Sequence, residues 1–91
     1  MHIEVEFDPA KDASNSRKHG VSLAQAADLD WSVASVEADD RFNYEEDRFI
    51  GYAPLGDRIY CVAFTFRGAT LRIISLRKAN RREVQRYEQQ T

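Results

Sequence analysis

Residues 66–87 read FRGATLRIISLRKANRREVQRY. An apolar strand core of Leu71, Ile73, Ile74 and Leu76 is interrupted and followed by cations: Arg67, Arg72, Arg77, Lys78, Arg81, Arg82 and Arg86. Arginine suits bidentate phosphate recognition, because its planar set of donors matches two phosphate oxygens and keeps its charge. A strand that needs burial yet ends in a cationic cluster predicts a sheet presenting a phosphate-binding edge. The rest of the chain is then the support for that edge.

Working outward, the segments on either side supply the sheet and its last helix. Arg58 to Thr65 is the most apolar run and is expected at the centre of the sheet. Arg48 to Ala53 precedes it across Pro54-Leu55-Gly56-Asp57, a turn by composition. Arg67-Gly68 supplies the next tight turn before the strand Thr70 to Arg77. Connections this short make the three strands an antiparallel meander. Beyond them, Asn80 with Glu83 has capping-box spacing and starts a helix to about Gln89. Val84 and Tyr87 lie on one face of that helix, Arg82 and Arg86 on another.

The N-terminal half reads as one strand, two helices and a further strand. Ile3, Val5 and Phe7 alternate with His2, Glu4 and Glu6, a period of two. Asp8-Pro9 marks a helix start, and the helix runs from Pro9 to Lys18 before Gly20. Ser22 and Gln25 repeat the capping-box spacing ahead of a short helix over residues 23–29, closed by Trp31. Ser32 to Glu37 follows as a strand, and the acidic stretch Asp39 to Asp47 is a polar connection anchored by Phe42 and Tyr44. The order β-α-α-β-β-β-β-α indicates an α+β fold, an antiparallel β-sheet flanked by helices, in a single domain spanning residues 1–91.

The formal net charge of −2 conceals a division. Residues 1–57 hold 5 Lys/Arg against 13 Asp/Glu, and residues 58–91 hold 8 against 2. Such asymmetry fits one surface facing a polyanion and another facing a basic partner, or two halves that neutralise one another across the fold. The single cysteine, Cys61, sits in an apolar run and reads as a core residue of a reducing compartment, here the cytoplasm. No apolar run reaches the length of a membrane span, so no membrane role is expected.

Two histidines and one cysteine without ligand spacing give no metal site, and no phosphate loop or dinucleotide fingerprint calls for a cofactor. His19 lies between Lys18 and Gly20 at a helix end. It is either a general acid/base or a capping histidine favoured by the helix dipole, and the two roles are compatible. Strict alternation puts Arg72, Ile74 and Leu76 on one face of their strand and Leu71, Ile73, Ser75 and Arg77 on the other. Arginines therefore emerge on both faces. They can bind phosphates and stabilise a phosphorane-like transition state, or pair with Glu4, Glu6 and the Asp39–Asp47 acids.

Taken jointly, several short motifs carry a family likeness. They are Phe7-Asp8-Pro9, Asn15-x-x-Lys18-His19-Gly20-Val21, Arg48-Phe49-Ile50, Thr65-x-Arg67-Gly68, Arg72-Ile73-Ile74-Ser75-x-Arg77-Lys78-Ala79, Glu83 and Tyr87. In this order and spacing the chain resembles the BrnT family of toxins over nearly its whole length. The resemblance implies a RelE-like fold and the toxin of a bacterial type II toxin–antitoxin pair. It further implies RNA cleavage that halts translation, a BrnA-like ribbon-helix-helix antitoxin, and contact with operator DNA only through the antitoxin complex.

Carried onto matching positions, the resemblance points to His19, Lys18, Arg48, Arg67, Arg72, Arg77 and Lys78. The mechanism expected from these residues is metal-independent attack of a ribose 2′-OH on the adjacent phosphate. Arg77 and Arg67 are expected to hold the phosphate, His19 to act as general acid/base, and Arg48 to assist electrostatically, while Lys18, Arg72, Lys78 and Arg81 bind RNA. The alternative is a non-catalytic nucleic-acid-binding co-repressor that uses the same arginines.

Overall fold

The computed structural model describes residues 3–41 and 45–90. Its elements are β1 (Val5–Glu6), α1 (Pro9–His19), two 3-10 helices (Leu23–Asp28 and Trp31–Val33), β2 (Ser35–Ala38), β3 (Phe49–Leu55), β4 (Arg58–Arg67), β5 (Thr70–Lys78) and α2 (Arg81–Gln89). Two glycines set the meander. Leu55 pairs with Arg58 and Arg67 with Thr70, which leaves Gly56-Asp57 and Gly68-Ala69 as two-residue loops. Gly56 and Gly68 have φ of 64° and 62°, left-handed values that only glycine adopts without strain at the first loop position.

The five strands lie in the order β1-β5-β4-β3-β2, so the apolar β4 is central as its composition implies. The sheet is mixed, which corrects the expectation of a purely antiparallel one. β1 runs parallel to β5, with Val5 opposite Leu71 and Glu6 opposite Arg72. The meander rule speaks only for strands joined by short turns, whereas β1 reaches its neighbour across the whole fold. Other boundaries also move. Pro54 belongs to β3, the second predicted helix is a 3-10 helix, and Ser32 lies in a further 3-10 turn, so β2 begins at Ser35. The predicted anchors Phe42 and Tyr44, and the strand position His2, lie outside the described residues.

Local signals account for the helix ends. Asp8 accepts a hydrogen bond from the Ala10 N–H at 2.9 Å, and Gly20 ends α1 at φ 71°. Ser22–Gln25 and Asn80–Glu83 both form complete capping boxes. Asp12 ties α1 to the next segment, accepting from the Ser22 hydroxyl at 2.9 Å and the Leu23 N–H at 2.8 Å.

One face of the sheet carries the main core. Ala53, Val62, Phe64, Leu71, Ile73 and Leu76 pack there against Val21, Leu23, Ala26 and Leu29. On this face Gly51 sits so close to its neighbours that a Cβ would lie 3.3 Å from Val62 and 3.4 Å from Phe64. The opposite face carries a smaller cluster of Tyr52, Cys61 and Tyr87, flanked by Ile50, Ile59 and Ala79. Tyr87 brings α2 onto this second face and donates its hydroxyl to the Val33 carbonyl at 2.8 Å.

A register shift in β5 fixes which side chains share a face. Ala63 pairs with Ser75 but Phe64 pairs with Ile73, so Ile74 is an extra residue on β5. The bulge resets the alternation. Leu71, Ile73 and Leu76 all enter the main core, although strict alternation would place Leu76 opposite the other two. Arg72, opposite Thr65, and Arg77, opposite Cys61, consequently emerge together on the second face. This corrects the expectation that the strand's arginines divide between faces.

The outer edge of β5 is closed by a side chain. Beyond the two residues of β1, Asn15 of α1 donates from Nδ2 to the Leu76 carbonyl at 2.8 Å and accepts from the Leu76 N–H at 3.2 Å. Its second Nδ2 hydrogen goes to the Val21 carbonyl at 2.9 Å. The amide thus satisfies a strand edge as another strand would, which explains a buried asparagine in a solvated helix.

Candidate functional site

On the second face of the sheet, Arg77 meets α2. Arg77 donates from Nη1 to Glu83 Oε1 at 2.8 Å and from Nη2 to Glu83 Oε2 at 2.9 Å. Glu83 is simultaneously the capping-box residue of α2, accepting from the Asn80 N–H at 2.9 Å. Tyr52 of β3 donates its hydroxyl to Glu83 Oε2 at 3.3 Å and accepts from Arg86 Nη2 at 3.2 Å. The Arg86 guanidinium lies 5.5 Å from the centroid of the Tyr52 ring. Four elements of the chain's second half therefore hold one polar cluster: β3, β5, the Asn80 cap and α2.

Electrostatics fix the protonation of the cluster at neutral pH. The hydrogen bonds from Arg77 hold the Glu83 carboxyl down at about 2, against the opposing effect of burial. Reciprocally, the bond to Glu83 holds Arg77 charged, its pKa raised. Burial pushes the Tyr52 phenol up to about 12, with the nearby Cys61 and Glu83 charges adding to it. Burial also raises the Cys61 thiol, which stays protonated and agrees with its reading as a core residue. Neither Glu83 nor Tyr52 is thus a proton acceptor near pH 7. The cluster is an oriented cation, suited to binding a phosphate and stabilising charge.

Arg77 is not sealed inside. Its side chain is 37% exposed, against 13% for Glu83. The bonds to Glu83 and a longer one to the Lys78 carbonyl use Nη1 and Nη2. The Nε–H and one Nη2–H are left for a ligand.

The other expected site residues divide by position. Arg72 is half-buried on the same face, with Nη1 3.8 Å from Glu6 Oε1. Arg67 ends β4, exposed, 4.0 Å from Glu46 Oε2. Arg67 lies six residues along β4 from Cys61, the partner of Arg77, which is about 20 Å along a strand. Arg77 and Arg67 thus stand toward opposite ends of a cationic face, with Arg72 between them. Arg48 precedes β3, half-buried, and its carbonyl accepts from the Asp39 N–H at 2.7 Å. Lys78 closes β5 and Arg81 opens α2, both exposed.

Lys18 and His19 lie apart, in the last turn of α1. His19 is half-buried, and its side chain forms no hydrogen bond or ion pair among the described residues. It stands four residues after Asn15, on the same side of the helix, and Asn15 bonds to Leu76, the residue before Arg77.

The contributions of Tyr52, Glu83 and Arg86 were not foreseen. Glu83 was visible as a cap, and its rigid placement six residues after Arg77 was the available signal. Among the described residues, no group of three or more His, Cys, Asp or Glu is placed to hold a metal ion. No helix among them is long and apolar enough to cross a membrane.

A family model described as ribonuclease toxin, BrnT, of type II toxin-antitoxin system matches residues 7–83. That span includes α1, strands β2 to β5 and the Arg77–Glu83 pair, and begins just after β1. No curated protein matches the chain.

Proposed function

Because the chain belongs to the BrnT ribonuclease toxins of type II toxin–antitoxin systems, we propose that it cleaves RNA at the cationic face of its sheet, with Arg77 as the phosphate-binding group. The observation that carries this reading is the bidentate Arg77–Glu83 pair, which aims a guanidinium of fixed charge from a rigid strand. Arg72 and Arg67, spaced along the same face to one side of Arg77, would track the RNA backbone leading away from the scissile bond. Lys78 and Arg81 would extend this track at the Arg77 end, and Lys18 and Arg48 would flank it.

The reaction we propose is attack of the ribose 2′-OH on the adjacent phosphorus, expelling the 5′-oxygen and leaving a 2′,3′-cyclic phosphate. Arg77 would neutralise charge on the non-bridging oxygens as the pentacovalent state forms. Because Glu83 is held as a very weak base and Tyr52 as a protonated phenol, we look to another group for the general acid/base. His19 is our candidate, supported by its position one turn beyond Asn15. We place the reaction without a metal ion, in the cytoplasm, under the control of a BrnA-like antitoxin whose complex with the toxin contacts operator DNA. The RelE-like reading of the fold rests on the order of elements and on arginines crossing one face of the sheet.

The test is cleavage of a labelled single-stranded RNA by antitoxin-free protein in excess EDTA, beside Arg77→Ala and His19→Ala. Multiple-turnover cleavage by the wild type, lost in both variants, is expected. Full activity of His19→Ala would remove the histidine from the mechanism. Salt-sensitive RNA binding without turnover would instead favour the non-catalytic co-repressor.

A further inference from the structure

The helical layer over the main-core face leaves one end open. α1 and the Leu23–Asp28 helix contact β5 and β1, the Trp31–Val33 3-10 helix contacts β3, and the end of the face around Phe66 and Val36 stays exposed. There the sheet presents apolar side chains to solvent. Phe66 is 53% exposed and Val36 is 48% exposed. Phe66 packs edge-on against Phe49 at 5.4 Å and against the buried Phe64 at 5.7 Å between ring centroids. Trp31, perpendicular to Phe64 at 5.4 Å, forms one wall. Trp31, Val36, Phe64 and Phe66 line a groove of about 450 Å³ together with Ile3 and Glu4.

The rim of the groove is acidic. Glu4 lines one end, and Asp47 and Glu46, the latter 4.0 Å from Arg67, stand beside Phe49 and Phe66 at another, all three acids exposed. Such a surface repels a phosphate backbone, and the Arg72 and Arg77 side chains emerge on the opposite face. It also disfavours a second copy of this chain, since a two-fold contact through the groove would bring like charges together. What fits is an apolar segment flanked by basic residues. A sheet face is ordinarily covered by helices, and a helix about 10–12 Å across would cover the end left open at Phe66 and Val36.

We propose that this groove takes an amphipathic helix of the antitoxin, with apolar side chains against Phe66 and Val36 and Lys or Arg beside Glu4, Glu46 and Asp47. The proposal rests on the toxin–antitoxin reading for its partner, but not on the nuclease mechanism. It separates two properties of the complex: affinity comes from a surface the RNA does not use, and loss of activity comes from whatever the bound antitoxin does to the arginine face.

The experiment is titration of the purified cognate antitoxin against wild-type toxin, Phe66→Glu, Val36→Glu and Glu4→Lys, with RNA cleavage by each free toxin measured in parallel. Both apolar substitutions are at exposed sites and should leave folding and cleavage intact. Antitoxin binding is expected to weaken roughly 30-fold or more for Phe66→Glu, as for loss of a buried aromatic anchor. Glu4→Lys should weaken it less and reduce its salt dependence. Binding of Phe66→Glu and Val36→Glu within about threefold of wild type would overturn the proposal. So would a wild-type toxin dimer that Phe66→Glu converts to monomer, which would give the groove to a second copy. A wild type without RNA cleavage whose antitoxin binding still needs Phe66 would defeat the proposed mechanism and leave this inference standing.

Discussion

Arg77 and Glu83 face one another in plane, two donors on two acceptors at 2.8 and 2.9 Å, across the turn that joins β5 to α2. The pair converts a flexible side chain into a fixed one, because the carboxylate is itself pinned by the Asn80 N–H and the Tyr52 hydroxyl. Arg77→Lys keeps the charge and loses the planar geometry. We expect it to lower single-turnover RNA cleavage about 100-fold with little change in thermal stability. Glu83→Gln keeps Arg77 but loosens its aim, and a loss of about tenfold is expected. Equal activity of Arg77→Lys and wild type would show that only charge matters at this position.

Acid should undo the same pair. The Glu83 carboxyl is held at about 2 in the folded protein, from an ordinary 4.5. Its contribution to stability is complete above pH 4.5 and is lost as pH falls toward 2. With the partial exposure of Arg77 discounted, the contribution is on the order of 2 kcal/mol. Denaturant melts of wild type and Glu83→Gln between pH 6 and pH 2 should converge at the acid end. Parallel curves across that range would refute the assignment.

Asn15 offers a test of the sheet's edge. Asn15→Ala leaves the Leu76 N–H and carbonyl facing a buried gap, and should cost about 2–3 kcal/mol of stability. Asn15→Asp is expected to be no better, since a carboxylate can accept from Leu76 but cannot donate to the two carbonyls. Chemical denaturation would measure both. A loss below about 0.5 kcal/mol for the alanine variant would mean that water replaces the amide readily.

Most of this architecture was legible where short-range chemistry decides it. Asp8, Ser22, Asn80 and the turn glycines announce helix starts and hairpins through backbone groups only a few residues away. The cations of β5 were legible as a cluster. What the sequence hid depends on contacts between distant segments: β1 choosing β5 as a parallel neighbour, Asn15 reaching Leu76, and Tyr52 and Arg86 meeting over Glu83. The phase of Arg77 was also hidden. Period-two reading assumes a regular strand, and nothing in Ile73-Ile74-Ser75 announces that one residue will be left unpaired.

The bulge at Ile74 gives this toxin an unusual genetic weak point. With it, the main core takes Leu76 and the opposite face keeps Arg77; a regular strand of the same sequence would exchange their places. Deleting Ile74 restores regular alternation with both arginines still on one face, so the fold should survive. Yet a bulge adds local twist, and its removal would swing the end of β5, and Arg77 with it, relative to α2. An in-frame loss of three bases would then yield a folded protein that has lost its cleavage activity while keeping the Phe66 groove. Denaturation and RNA-cleavage assays on that deletion would decide the matter, and an unfolded product would show that the bulge serves the core first. If it folds, a cell could disarm the toxin without discarding the protein that its antitoxin binds.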